Sequence, residues 1–214
     1  MSDRINDRDD EPSATMVDLA FALEGRVLPR EHRELLATAL EAALPWLATT
    51  PGAGIHRLKL APGEGAEALL SMRTKLVLRV PRERAEDAAA LVGRTLDLGG
   101  HRLHVGALHA RELLPWGTLY AHVVAADVDA VPDEAAFMRE VEGQLRELGV
   151  PCRPICGRLQ RLESGRLQGY SLMVDGLSAA DSLRLQELGI GRHRRLGCGV
   201  FVPHKSAAAV GTPP

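Results

Sequence analysis

The stretch Ser178-Ala179-Ala180-Asp181-Ser182-Leu183-Arg184-Leu185-Gln186-Glu187-Leu188-Gly189-Ile190-Gly191-Arg192-His193-Arg194-Arg195-Leu196-Gly197-Cys198-Gly199-Val200-Phe201-Val202 decides how this chain is read. Ser178 with Asp181 three residues on is a capping box, which satisfies backbone N–H groups at a helix start, and Gly189 is the residue type that ends one. Residues 200–202 then read as an apolar strand. Between helix and strand, glycines interleave with arginines. Glycine lets a backbone approach a phosphate without side-chain obstruction, and arginine adds charge-assisted donors. Gly189, Gly191, Gly197 and Gly199 with Arg192, His193, Arg194 and Arg195 are therefore candidate contacts for a polyanion. The loop follows a helix and precedes a strand, the reverse of a dinucleotide fingerprint, which would also need glycine where Arg194 stands. No Gly-Lys-Ser/Thr occurs, so a phosphate-binding P-loop is excluded.

Working back from that helix, strands over residues 153–162 and 167–174 join at Ser164-Gly165. Before them stand a helix over 133–148, with Phe137, Val141, Leu145 and Leu148 at helical spacing, and a strand over 119–124. The order is β-α-β-β-α-β, and the first half repeats it. Residues 17–23 form a strand, and Pro29 opens a helix carrying Leu36, Leu40, Leu44 and Leu47 that Pro45 ends or bends. Residues 49–54 are a loop, 55–60 and 69–80 are strands, 82–92 a helix and 95–105 a hairpin around Gly99-Gly100. In residues 73–80, Thr74, Leu76, Leu78 and Val80 share one face, and Arg73, Lys75 and Arg79 form a basic outer face. The expected fold is α+β, two tandem ferredoxin-like (βαββαβ) domains over residues 16–115 and 116–205. Residues 1–15 are expected as a disordered tail and 206–214 as a flexible one.

The 214 residues are 45% hydrophobic and 25% charged, enough to bury a core. No run approaches the roughly 20 apolar residues of a membrane span, and the N-terminus lacks an export pattern, so a cytoplasmic protein without membrane contact is expected. Cys152, Cys156 and Cys198 lack metal-ligand spacing and read as small buried side chains; no carboxylate spacing suggests a metal site either. Net charge is −2, yet residues 151–205 hold nine Arg or Lys against four acids. That basic third is a polyanion footprint. With 3% aromatic residues, backbone contact with a folded hairpin is expected over base stacking.

A glycine-rich basic loop between the last helix and last strand of a double ferredoxin-like chain resembles the signature of the repeat-associated RNA-binding (RAMP) superfamily. The CRISPR-associated Cas-six endoribonucleases belong to it. Val17-Asp18-Leu19 with Phe21, Leu28-Pro29-Arg30-Glu31-His32, Gly54-Ile55-His56 and Gly169-Tyr170-Ser171-Leu172 are similar to the myxobacterial type I branch, as is the run from Gly176-Leu177-Ser178 to Val202-Pro203. The similarity spans residues 16–203.

The resemblance implies that CRISPR repeat RNA, as a stem-loop, is cut into guide RNAs by attack of a ribose 2′-hydroxyl on the neighbouring phosphate. The products would carry 2′,3′-cyclic phosphate and 5′-hydroxyl ends. It implies no metal or cofactor, since the nucleophile is already in the substrate. Other subunits of a type I surveillance complex are implied partners. The catalytic histidine is expected in or just after the first helix, where His56 and His32 stand. His56 is favoured because Arg57 and Lys59 follow it and can hold a phosphate; His32 is the candidate second proton-transfer group. Other branches often use a tyrosine there, and this first helix has none. Arg73 and Lys75 form a second candidate RNA surface. His101, His104, His109 and His122 read as ordinary strand positions. The alternative is a non-catalytic RAMP subunit that only grips guide RNA; it would share the fold and the glycine-rich loop, so His56 is the discriminator.

Overall fold

Alternation along the first strand sets the architecture. In a computed structural model describing residues 13–126 and 133–205, β1 (Met16–Glu24) sends Leu19, Phe21 and Leu23 into a helix-covered core and turns Asp18 to the sheet's other face. The chain continues through β2 (Val27–Pro29), α1 (Arg33–Ala43), β3 (Gly54–Ile55), β4 (Ala61–Pro62), β5 (Glu67–Leu69), β6 (Lys75–Pro81), α2 (Ala85–Ala89), β7 (Thr95–Leu98) and β8 (His101–Glu112). The main sheet is antiparallel in the order β3-β6-β1-β8-β7, and β2-β5-β4 form a small second sheet.

The second half runs β9 (Thr118–Ala125), α3 (Glu134–Glu147), β10 (Arg153–Leu162), β11 (Leu167–Asp175), α4 (Ala179–Leu188) and β12 (Val202–Pro203), with sheet order β10-β11-β9-β12. In each half the second, third, first and fourth strands of a βαββαβ unit lie in that order, so both halves are ferredoxin-like. α1 buries Leu36, Ala37 and Leu40, and α3 buries Phe137, Val141 and Leu145, at the spacing that lines one helix face. The Asp133 carboxylate accepts the N–H groups of Ala135 and Ala136, and the Ser178 hydroxyl accepts that of Asp181, which starts α3 and α4.

Three expectations change. Pro29 opens no helix; β2 pairs with β5 first, and α1 begins at Arg33. The strand expected over 69–80 is broken, because Thr74 donates its N–H to the Ser71 carbonyl at 2.9 Å and makes a turn, which leaves Arg73 outside the ladder. The strand expected over 55–60 shrinks to β3. Of the expected tails, residues 1–12 and 206–214 lie outside the described residues, and Thr15 bonds the Glu187 carboxylate. Cys198 is buried, while Cys152 and Cys156 are half-buried. Among the described residues no helix is long and apolar enough to cross a membrane.

A candidate active site between the two sheets

His56 directly follows β3, and its N–H donates to the Val77 carbonyl of β6 at 2.9 Å, which fixes it against the main sheet. Its Nε2 lies 3.2 Å from Asp18 Oδ1 on β1. Asp18 is in register with Arg79 on β6, and the guanidinium forks onto the carboxylate, Nε to Oδ1 at 2.8 Å and Nη2 to Oδ2 at 2.9 Å. Arg79 Nη1 donates to the carbonyls of Gln186 and Phe201, each at 2.8 Å, so one side chain ties β6 to the second domain.

Arg79 is 0% exposed, which corrects its expected place on a basic outer face beside Arg73 and Lys75. The last turn of α4 leaves carbonyls without intrahelical partners, and a cation is favoured at that end of the helix dipole. Arg79 supplies donors in a fixed fork, and Asp18 neutralises the charge that burial would otherwise penalise.

Burial raises the Asp18 pKa, but hydrogen bonds from His56 and Arg79 outweigh it and hold the carboxyl well below its ordinary range. An ionised Asp18 can only accept, so His56 Nε2 carries a hydrogen and Nδ1 holds the lone pair of the neutral ring. Burial also lowers the His56 pKa, opposed by the bond and charge of Asp18.

Asp18 and His56 line a cleft of about 700 Å³ formed from both sheets, with Arg79 buried behind them. On one wall Arg57, Lys59, Arg73 and Lys75 are exposed beside His56, so five of the expected site residues come together there. Arg111, in register with Asp18, adds a cation. The opposite wall carries Tyr120, His122 and His204, and Trp116 stands at its edge. The rings of Tyr120 and His204 lie 5.4 Å apart, tilted by 43°. His122 Nδ1 is 3.4 Å from Arg57 Nη1, and its pKa is pushed down to about 4 by burial and then by the charges of Arg57 and Arg33.

Sequence reasoning missed Tyr120 and His122, although a signal existed. Leu119 and Ala121 of β9 are buried while Tyr120 and His122 alternate with them on the uncovered face. Reading His122 as an ordinary strand position gave no weight to what that face meets.

His32 does not line the cleft. It is 8% exposed just before α1, with Nδ1 at 3.1 Å from the carbonyls of Pro29 and Arg30, and burial lowers its pKa.

The glycine-rich loop is also used differently from the expectation. Arg194 Nη1 donates to the Gly199 carbonyl and Nη2 to the Gly52 carbonyl, both at 2.9 Å, and Nη2 also reaches the Glu187 carbonyl of α4 at 3.2 Å. Burial pushes its pKa down to about 10. Arg195 Nη1 donates to both carboxylate oxygens of Glu41 on α1, at 2.9 and 2.8 Å. Gly199 has φ of 62°, and a Cβ there would collide with the Ile190 carbonyl; a Cβ on Gly189 would meet the Arg194 guanidinium and the Gly199 carbonyl. These glycines thus serve close backbone packing within the protein. Gly197 alone of the loop's candidates lines the cleft, pressed against Arg33 and the Ile55 carbonyl. Gly191 packs on Val124, and Arg192 and His193 are exposed outside the cleft lining.

A family model described as Cas6 Crispr matches residues 17–206. A CRISPR-associated endonuclease Cas6 of Myxococcus xanthus (strain DK1622) is 37% identical over 198 residues, covering 91% of this chain and 84% of that protein. The structure of a CRISPR-associated protein Cas6 superposes with a TM-score of 0.62 at 11% identity, covering 89% of this chain and 99% of the other. A Cas6-related protein from Pyrococcus furiosus does so at 0.58 and 14%, covering 88% and 98%. A RAMP protein described as binding different RNA substrates gives 0.56 and 15%, covering 87% and 98%. The structural likenesses bear on the fold, and the sequence matches on kinship: the chain belongs to the Cas6 family of CRISPR-associated endonucleases.

Proposed function

We propose that this protein cuts CRISPR repeat RNA in the cleft by attack of a ribose 2′-hydroxyl on the adjoining phosphate. The P–O5′ bond breaks, leaving a 2′,3′-cyclic phosphate and a 5′-hydroxyl. The observation that carries the reading is His56. A proton-transfer group held by an ionised carboxylate opens into a cleft whose wall carries Arg57, Lys59, Arg73 and Lys75. Such cations can grip the phosphates on either side of the scissile bond and stabilise charge that grows on the attacked phosphorus oxygens. Asp18 favours the imidazolium of His56, and Arg79 keeps Asp18 charged and aimed. The repeat transcript would be processed in the cytoplasm, and the guide RNA passed to other subunits of a type I surveillance complex.

The test is labelled repeat RNA incubated with the protein in excess EDTA. Cleavage should persist, because the nucleophile lies in the substrate and only proton transfer and charge stabilisation are required. An RNA with 2′-deoxyribose at the cleaved linkage should bind and stay intact. Cleavage of that RNA would exclude 2′-hydroxyl attack, and binding without cleavage of the unmodified repeat would favour a guide-RNA-gripping subunit instead.

A further inference from the structure

Resting on that reading, we infer that His122, on the second domain's wall of the cleft, is the proton acceptor for the attacking 2′-hydroxyl and that His56 is the proton donor to the leaving oxygen. The two histidines arrive from different domains. β3 delivers His56 and β9 delivers His122 to the same cleft, and Arg57, the residue after His56, reaches across to the His122 ring.

The neighbours of each ring assign the roles. Arginine can only donate, so in the contact with Arg57 the His122 Nδ1 is the acceptor and holds the lone pair. At 3.4 Å this contact is long for an N–H bond. An RNA phosphate offers Arg57 shorter, charge-assisted bonds and competes it away, uncovering Nδ1 beside the bound ribose. The charged groups facing His122 are Arg57 and Arg33, both cations, with Tyr120 and His204 alongside in the cleft. Burial, and then these cations, keep the ring neutral and ready to accept before RNA arrives. A phosphate that neutralises Arg57 then raises the basicity of the ring toward the working pH, where a general base is most effective. His56 is also lowered by burial and by the charges of Arg79 and Arg194, but it has the opposite partner, a carboxylate on Nε2, which opposes them and favours the protonated ring. Paired groups whose surroundings separate their proton affinities divide into acid and base.

The step balances. His122 Nδ1 takes the proton from O2′, O2′ forms its bond to phosphorus, the P–O5′ bond breaks, and O5′ takes the proton that His56 carried on Nδ1. His122 ends protonated and His56 neutral, and exchange with water resets both. His32 cannot share this work from its buried place before α1, where Nδ1 is committed to backbone carbonyls.

The experiment compares single-turnover cleavage by the wild type, His56→Ala, His122→Ala and His122→Asn. One RNA has the normal linkage, and a second has sulfur replacing the 5′ bridging oxygen at the scissile phosphate, which leaves as a thiolate without an acid. On the normal RNA each variant should lose about a hundredfold or more in rate at unchanged affinity. On the sulfur RNA, His56→Ala should recover toward wild type, and both His122 variants should stay slow. Normal cleavage by the His122 variants beside an inactive His56→Ala would overturn the inference and leave the proposed function standing. Recovery of the His122 variants by sulfur would make His122 the acid and overturn the assignment, and slower cleavage matched by weaker binding would reduce it to an RNA contact. Normal cleavage by both His56→Ala and His122→Ala would instead overturn the proposed function. Melts of His122→Asn, which keeps a polar side chain, separate a chemical loss from misfolding.

Discussion

Residues 56–59 and 189–199 are both short and basic, yet they send their charges in opposite directions. Arg57 and Lys59 stand exposed in the cleft, whereas Arg194 is half-buried on three backbone carbonyls and Arg195 closes on Glu41. The difference lies in what each guanidinium finds. The loop folds back on the end of α4, where carbonyls lack helical partners, and Arg194 satisfies one of them. Beside β3, ladder partners already serve the backbone, so the cations are left for a ligand. A run of arginines therefore marks a demand for donors, and tertiary structure decides whether a phosphate or a carbonyl receives them.

If the arginines bonded within the protein are structural and the cleft residues functional, substitutions should divide between stability and rate. The largest stability effect belongs to Arg79→Met, which strands the Asp18 carboxylate and two carbonyls. Denaturant unfolding should show a loss of about 3–5 kcal/mol, the usual consequence of breaking a buried ion pair from one side. A loss under about 1 kcal/mol would mean that water replaces the guanidinium. His56→Ala should lower the cleavage rate about a hundredfold, equivalent to about 2.7 kcal/mol at the transition state, with an unchanged melt. Arg194→Ala should do the reverse, costing about 1–3 kcal/mol of stability through its unsatisfied carbonyls and leaving the rate of the folded protein intact. Arg195→Ala should barely register, about 0–1 kcal/mol in the same unfolding assay, because its pair with Glu41 is half-exposed, at 49% and 19%.

The fold was legible where local chemistry and periodicity agreed. Leu36 and Leu40 on α1, Phe137, Val141 and Leu145 on α3, and the Ser178 cap all stand as the spacing requires. It was illegible where a distant partner decides. Pro29 suits a first helical turn, but pairing with β5 about forty residues on claims it for a strand. At the proposed site, His56 with Arg57 and Lys59 could be picked out because residues adjacent in sequence reach the same cleft. Arg79 could not, since its carbonyl acceptors lie 107 and 122 residues away. His122 was overlooked although its alternation with buried Leu119 and Ala121 is local, because only the apposition of two sheets makes that face a cleft wall.

The most direct test of the central claim, that the cleft and not the glycine-rich loop holds the RNA, is the salt dependence of repeat-RNA affinity. Removing one cation from a phosphate should lower the slope of log K against log salt by about 0.7 on single-stranded RNA. Lys59→Ala, Arg73→Ala and Lys75→Ala combined should therefore reduce it by about two, and Arg194→Ala, assayed below its melting temperature, should leave it unchanged. A slope that holds in the triple cleft variant and falls in Arg194→Ala would contradict the account and return the RNA to the loop.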